Sequence, residues 1–121
     1  MPSINAALGL AQCEHIDLML AEKRRLARAY VSFFQPEEVT WVSGPASAVP
    51  NYWLNAALFP SEVQRDNFLR ETNQRGVHTR APWPLLHRLP MFASEHHGDL
   101  EQAESIETRL VTLPSSICYE K

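Results

Sequence analysis

The sequence predicts an α+β domain in which a small, mainly antiparallel sheet of three or four strands packs against helices. Two helical hydrophobic patterns occupy residues 3–34, and seven of the nine prolines fall between residues 36 and 90. Because proline fixes φ and removes a backbone donor, that proline-rich region favours short strands and stiff loops. A chain of 121 residues that is 45% hydrophobic can bury one core. We therefore expect a single domain over 1–121, with strands and helices over 39–113 and a tail over 114–121.

The first helix is expected to begin after Ser3, whose hydroxyl can cap a helix N-terminus. The residues that follow, 4–11, are small and apolar on nearly every side of the helix. An ordinary surface helix keeps a polar face toward water, so this helix must pack against something else. The same reasoning treats Cys13 as a small buried hydrophobic residue.

The second helix is predicted over residues 16–34 and is amphipathic. Asp17 and the arginines lie mostly opposite an apolar stripe. That stripe consists of Ile16, Met19, Leu20, Ala27, Tyr30, Val31 and Phe34. Pro36 ends the helix.

Two strands are predicted over 39–43 and 51–59. The loop between them, 43–50, suits an antiparallel connection and is too short for a parallel crossover. Alternate residues of the second strand are apolar on both faces, which is typical of a central strand.

The third helix is expected to begin at Ser61, with Gln64 completing a capping box, and to stop at Gly76 in a left-handed cap. A short strand over 77–80 should follow. The proline-rich residues 81–84 then prevent that strand from continuing.

The fourth helix is expected to begin at an Asp99 cap, with Gln102 completing a second capping box, and to run to Leu110. A last strand is predicted over 111–113.

The net charge argues against nucleic-acid and membrane partners, and the cysteine content indicates the cellular compartment. The formal net charge is −3, so no broad cationic field favours nucleic acid or an anionic membrane. The sequence has no basic and apolar leader and no run of about 18 apolar residues. Two cysteines, Cys13 and Cys118, in a chain that needs no cross-link favour a reduced, cytoplasmic compartment.

Unusual side chains are concentrated just after the third helix. His78 and Arg80 share a face of the predicted strand, Trp83 stands between two prolines, and His87 follows. A guanidinium suits a carboxylate or phosphate, a rigid indole suits a sugar or base, and an imidazole can exchange a proton. These side chains could form the rim of a polar-ligand site. The alternative is that Arg80 makes a surface ion pair, Trp83 fills the core edge and His87 is solvated.

Two other sets of residues are weaker candidates. Residues 95–99 contain two histidines and two carboxylates, but neighbouring side chains on an extended segment diverge and Asp99 is better used as a helix cap. We therefore expect a solvated loop and no metal site there. The only lysines are Lys23, in the charged face of the second helix, and Lys121 at the terminus, and neither position suits the enclosed amine of a Schiff-base lysine.

Four ordered motifs together resemble the C-terminal part of DegT-type nucleotide-sugar aminotransferases, and the branch that aminates precursors of nonulosonic (legionaminic and related) sugars in particular. The match covers essentially the whole chain. The motifs are MPSINAALGLAQ (1–12), NYWLNA (51–56), GVHTR (76–80) leading to Trp83 and LHRLPMF (86–92), and LPSS (113–116).

The resemblance implies the small domain of a fold-type I, pyridoxal-phosphate enzyme that moves an amino group onto a nucleotide-linked keto sugar. Such enzymes are typically homodimers, and their cofactor lysine lies in a large domain that would precede Met1. We therefore expect no cofactor and no catalytic residue on this chain alone, and a truncated or orphan domain that a separately encoded large domain could complete.

Residue by residue, the resemblance carries over Arg80, Trp83 and His87 as lining of the substrate side of the site. It also places the first helix under the cofactor domain or the partner subunit. When neither the cofactor domain nor the partner subunit covers the first helix, the apolar surface of that helix predicts self-association. The alternative to a chemically inert domain is a stand-alone, self-associating module that binds a nucleotide-sugar or another anionic sugar.

Overall fold

The computed structural model describes residues 1–117, so Cys118 and Lys121 lie outside the described residues. Within that part of the chain four helices and three strands form. The helices are α1 (Ser3–Glu14), α2 (Ile16–Phe34), α3 (Glu62–Gln74) and α4 (Glu101–Arg109), and the strands are β1 (Thr40–Trp41), β2 (Asn55–Leu58) and β3 (Leu110–Leu113). Two short 3-10 turns, Leu86–Arg88 and Pro90–Phe92, lie between α3 and α4.

The three strands form one antiparallel sheet in the order β1-β2-β3, with Asn55 opposite Leu113 and Leu58 opposite Leu110. This confirms the α+β class and the central position of the second strand. Both of the first two strands are shorter than predicted. Tyr52 has a φ of +50°, which interrupts the extended backbone before β2 begins.

The strand expected over 77–80 does not form. Only Arg80 pairs with β3, through an isolated antiparallel bridge to Thr112. The Val77 amide is used by the end of α3, where it donates to the Thr72 carbonyl at 2.9 Å, and the Thr79 amide donates to the Val77 carbonyl at 3.0 Å. Because both amides bond locally, they are not available to a strand ladder.

The predicted Ser61 cap forms at the start of α3, whereas α1 and α4 do not begin as predicted. Ser61 accepts from the Gln64 amide at 3.3 Å, as expected of a cap. Ser3 is already inside α1, and the N-cap is Pro2 with no side-chain cap bond. Asp99 does accept from the Glu101 amide at 2.9 Å, but α4 begins only at Glu101. Leu110 is the first residue of β3 and not the last of the helix.

The core lies between the inner face of the sheet and the helices α2 and α3. Its buried members are Phe34, Ala57, Phe59, Val111 and Leu113, with Tyr30, Val39, Trp41, Phe68 and Leu69 packed against them. From the predicted stripe of α2, Phe34 and Tyr30 reach this core and Ala27 is buried, whereas Ile16 and Val31 are exposed, so the stripe is confirmed only in part.

Helix α1 stands apart from this core. Every one of its residues is exposed, including Ile4 at 77% and Leu8 at 65% of their full surface. Cys13 is likewise exposed, so the expectation that it is buried was wrong. Helix α1 packs mainly against α2, whose buried residues, Ala27 and Phe34, lie in its later turns, so α1 does not reach the core. No helix in residues 1–117 is both long enough and apolar enough to span a membrane.

Candidate substrate-binding site

A cleft of about 610 Å³ opens between the end of α3 and the end of β3. One wall comes from the segment 76–80, and the other from the segment 112–116. We call this the end-strand cleft. Its lining residues are Leu54, Gly76, Val77, His78, Arg80, Thr112, Leu113, Pro114 and Ser116.

The first wall is set by the way α3 ends. Gly76 has a φ of +80°, in the left-handed region that glycine enters without a steric penalty. Its amide donates to the Asn73 carbonyl at 3.1 Å, and the Val77 amide reaches the Thr72 carbonyl. These two bonds form the Schellman pattern of a helix end. The turn directs the chain from α3 toward β3 and brings His78 and Arg80 to the cleft.

Arg80 is fixed by its backbone and leaves its guanidinium available. Its amide donates to the Thr112 carbonyl at 3.0 Å, while its carbonyl accepts from the Thr112 amide at 2.8 Å and from the Thr112 hydroxyl at 3.0 Å. The guanidinium has no ion pair or hydrogen bond with any residue in the range 1–117. The surface ion pair that was the alternative for Arg80 is therefore absent from the described structure.

The second wall is tied to β2 and α2. Ser115 Oγ accepts from the Asn55 amide at 2.8 Å and from Asn55 Nδ2 at 3.1 Å, and donates to the Leu113 carbonyl at 2.8 Å. From α2, Lys23 Nζ donates to the Ser115 carbonyl and Tyr30 Oη to the Pro114 carbonyl. Burial raises the pKa of the Tyr30 phenol above its usual value of 10.0.

Trp83 and His87 are not among the residues that line the end-strand cleft. Trp83 is 91% exposed, so it does not fill the core edge. His87 is not free in solvent either, because its Nε2 lies 2.9 Å from Glu104 Oε1 and only 16% of its side chain is exposed. Of the three residues predicted to bind substrate, the structure thus brings only Arg80 to the cleft.

A polar network holds the segment that carries Trp83 and His87. Arg88 lies 2.5 Å from Glu107 and 3.7 Å from Glu104, and Glu107 also accepts from the Leu85 amide at 3.1 Å. Sequence reasoning missed both glutamates. Their spacing of three on one helix was the available indication, because residues three apart share a helix face.

The histidines of residues 95–99 do not assemble with carboxylates. His97 Nδ1 lies 2.9 Å from the Gly98 carbonyl, and its ring lies 5.0 Å from that of His87. Among residues 1–117 no group of three histidine, cysteine or acidic side chains is arranged to hold a metal ion.

The described residues do not fit pyridoxal phosphate. That cofactor needs a lysine amine facing an enclosed site. Lys23, the one lysine in residues 1–117, is bonded to the Ser115 carbonyl and lines neither wall of the cleft.

The chain matches known proteins along nearly its whole length. The model of the DegT/DnrJ/EryC1/StrS aminotransferase family matches residues 1–119. Two curated relatives are GDP-perosamine synthases. The one from Escherichia coli O157:H7 is 28% identical over 116 residues, and the one from Vibrio cholerae is 27% identical over 120 residues. Each alignment covers 95% of this chain but only 31% and 32%, respectively, of the relative, so the chain spans about a third of those proteins.

Solved structures agree on the fold. The aminotransferase TlmJ from Streptoalloteichus hindustanus superposes with a TM-score of 0.80 at 22% identity, over 91% of this chain and 30% of that one. DesV from S. venezuelae superposes with a TM-score of 0.78 at 24% identity, over 91% of this chain and 30% of that one. At these identities the likeness shows the fold alone. Together with the family match over residues 1–119, it means that the chain belongs to the DegT/DnrJ/EryC1/StrS aminotransferase family.

Proposed function

We propose that this chain is the small-domain portion of a pyridoxal-phosphate-dependent aminotransferase for a nucleotide-linked keto sugar, and that its end-strand cleft contacts that substrate. One observation carries the proposal. In a chain that matches a sugar-aminotransferase family, the Arg80 guanidinium lies at a cleft with no partner among residues 1–117. Both curated relatives named above carry a GDP-linked sugar in their names, which supports the substrate class.

The chemistry of the cleft suits such a ligand. A guanidinium binds phosphate oxygens with two parallel hydrogen bonds, and the diphosphate of a nucleotide-sugar offers such oxygens. The His78 imidazole and the Ser116 hydroxyl, both exposed at the cleft, can exchange hydrogen bonds with sugar hydroxyls. Arg80 therefore anchors the anionic part, and the smaller polar groups orient the sugar.

The cofactor comes from elsewhere in this proposal. Pyridoxal phosphate bound to another domain would supply the amino-transfer chemistry. Because Lys23 is engaged with Ser115, we assign the cofactor lysine to a large domain, on the same polypeptide or on a separate one. The described domain then contributes substrate contacts and does not transfer amino groups by itself.

Trp83 and His87 belong to the completed site in this proposal. The indole is presented to its surroundings on a segment that the glutamates of α4 hold in place. An exposed, pre-positioned indole is suited to stack on a sugar or a base once the remaining domain or a second subunit closes over it. The second subunit would be a copy of this chain docked through α1, whose apolar residues are all exposed.

The motifs also support a narrower substrate, a precursor of a nonulosonic sugar, which the perosamine-synthase relatives do not specify. The two alternatives share a nucleotide-linked keto sugar. We therefore place the proposal at that class and use competition between GDP-linked and other nucleotide-linked sugars to refine it.

The test is isothermal titration of the purified chain with GDP-mannose as a probe, for the wild type, Arg80→Ala and Arg70→Ala. Arg70 is an exposed arginine on α3 that bonds Asn67 and does not line the cleft, so it controls for lost charge. Binding that Arg80→Ala weakens roughly tenfold and Arg70→Ala leaves unchanged supports the cleft. Equal weakening in both variants contradicts it, and no binding in the wild type favours an inert domain over a stand-alone binding module.

A second measurement addresses the cofactor. Pyridoxal phosphate is added to the wild type and to Lys23→Ala, and the absorbance of a lysine-linked cofactor is followed. We expect no such band in either protein. A band that Lys23→Ala abolishes would overturn the assignment of the cofactor lysine to another domain.

A further inference from the structure

Helix α2 donates two hydrogen bonds to consecutive carbonyls of the end-strand cleft. Lys23 Nζ bonds the Ser115 carbonyl, and Tyr30 Oη bonds the Pro114 carbonyl at 2.9 Å. The two donors are seven residues apart, which places them on the same face of a helix, two turns from each other. One face of α2 therefore holds two successive peptide groups.

The carbonyls of Pro114 and Ser115 need hydrogen-bond donors from outside the sheet. Leu113 is the last residue of β3, so the carbonyls of Pro114 and Ser115 lie beyond the strand ladder. A partly buried carbonyl without a donor is costly, and a hydrogen bond from a charged donor is worth more than one from a neutral donor. The Lys23 ammonium is the charged donor at this position.

The held segment is also a wall of the cleft. Pro114 and Ser116 line it on either side of Ser115. Ser115 is further attached to the central strand, because its hydroxyl accepts from both the backbone and the side chain of Asn55, a residue that is 1% exposed. The position of the wall thus depends on two attachments, one from β2 and one from α2.

We propose that Lys23 is a positioning residue for the end-strand cleft: with Tyr30 it holds the wall 114–116 in the conformation that accepts a ligand. Lys23, which is not placed to bind the cofactor, thus has a structural role at the cleft. It does not touch the ligand and acts through the Ser115 carbonyl. The ligand part of this inference rests on the proposed function, whereas the attachment of the wall does not.

The test uses Lys23→Met, which keeps an unbranched side chain of similar length without the terminal ammonium donor, and Lys23→Arg, which restores a cationic donor. Arg28→Met is the matched control, since Arg28 is an exposed cation of α2 that does not line the cleft. A cooperative thermal transition in each variant establishes that it folds.

The first readout is amide hydrogen exchange at Asn55, whose amide is covered by Ser115 Oγ. Release of the wall exposes that amide, so Lys23→Met should speed its exchange roughly tenfold, with recovery in Lys23→Arg and no change in Arg28→Met. Unchanged exchange in Lys23→Met overturns the proposal.

The second readout is the dissociation constant of GDP-mannose in the same variants. A wall that is loose before binding must be ordered on binding, so the constant should rise by up to the same factor in Lys23→Met and recover in Lys23→Arg. Faster exchange with unchanged affinity would overturn the positioning role. If the wild type does not bind GDP-mannose, the proposed contact of the cleft with a nucleotide-linked sugar fails for this probe in the isolated chain, and the exchange comparison by itself decides whether Lys23 holds the wall.

Discussion

The His87 imidazole is hydrogen-bonded to the Glu104 carboxylate across 17 residues of sequence, with Nε2 and Oε1 2.9 Å apart. This bond joins the first 3-10 turn, Leu86–Arg88, to α4. Arg88 and Glu107 strengthen the junction beside it. Trp83, which is 91% exposed, lies four residues before His87 on the segment that this junction attaches to α4.

Replacement of Glu104 by alanine should therefore loosen the segment that carries Trp83. His87 loses its partner while Arg88 keeps Glu107, so we expect a loss of about 1 kcal/mol in unfolding free energy and faster tryptic cleavage at Arg88. Urea denaturation and timed proteolysis measure the two effects. Glu101→Ala, an exposed carboxylate on the same helix, is the control, and equal cleavage in both variants would contradict the role of the His87 bond.

Local patterns predicted the helices and the sheet well, because their causes lie within a few residues. The Ser61 cap, the left-handed Gly76 and the central position of β2 all follow from side-chain chemistry or alternation at short range. The strand over 77–80 was wrong because two amides there bond locally, in competition with the sheet. Whether these amides bond locally or to β3 depends on how the end of α3 is placed beside the sheet, and a short sequence pattern does not specify that placement.

The candidate site was predictable only in part for the same reason. Arg80 stood out by its residue type and its place after a helix end, and it does line the cleft. The bonds of Ser115 to Asn55 and of His87 to Glu104 join residues 60 and 17 positions apart. Such pairs arise from the packing of whole elements, so residue type and spacing did not indicate them.

Ser115→Ala should lower the unfolding free energy more than a substitution at an exposed position does. The substitution leaves the Asn55 amide and its Nδ2 without their acceptor at a buried position. A buried donor without a partner costs about 1–3 kcal/mol, which thermal or urea unfolding detects. Ser116→Ala, at the neighbouring exposed position, should change stability by about 0.5 kcal/mol or less. Equal effects in the two variants would show that the Asn55 bonds carry no stability.

Gly76→Ala should destabilise the end of α3 through its backbone alone. The φ of +80° disfavours an L-residue, although no atom lies within 4 Å of the position that a Cβ would take. We expect a loss of about 1 kcal/mol in unfolding free energy. Gly98→Ala, where the space is equally open and φ is not in the left-handed region, is the matched control. A similar loss at both glycines would point away from the left-handed turn as the cause.

The partly buried Tyr30 phenol predicts that the unfolding free energy falls at alkaline pH. Its pKa is raised in the folded chain by burial, so the folded state holds the proton more tightly than the unfolded state. The resulting stability is complete below the unfolded value of 10.0 and is lost as the pH rises through the folded value. Unfolding free energy measured against pH should fall less steeply above pH 10.0 in Tyr30→Phe than in the wild type or Tyr52→Phe. Parallel curves for all three proteins would exclude Tyr30 as the cause.

If copies of the chain associate through α1, as proposed, a charge placed on α1 should prevent that association without disrupting the fold. Ile4 and Leu8 are four residues apart, so they share one face of a helix whose residues are all exposed. Burying a new carboxylate in an apolar contact is strongly unfavourable, and glutamate is itself a good helix former. Sedimentation velocity over a range of concentrations should show a dimer for the wild type and a monomer for Leu8→Glu. Val63→Glu, at an exposed apolar position of α3, should still dimerise. A wild type that remains monomeric at high micromolar concentration would contradict α1 as a contact between copies.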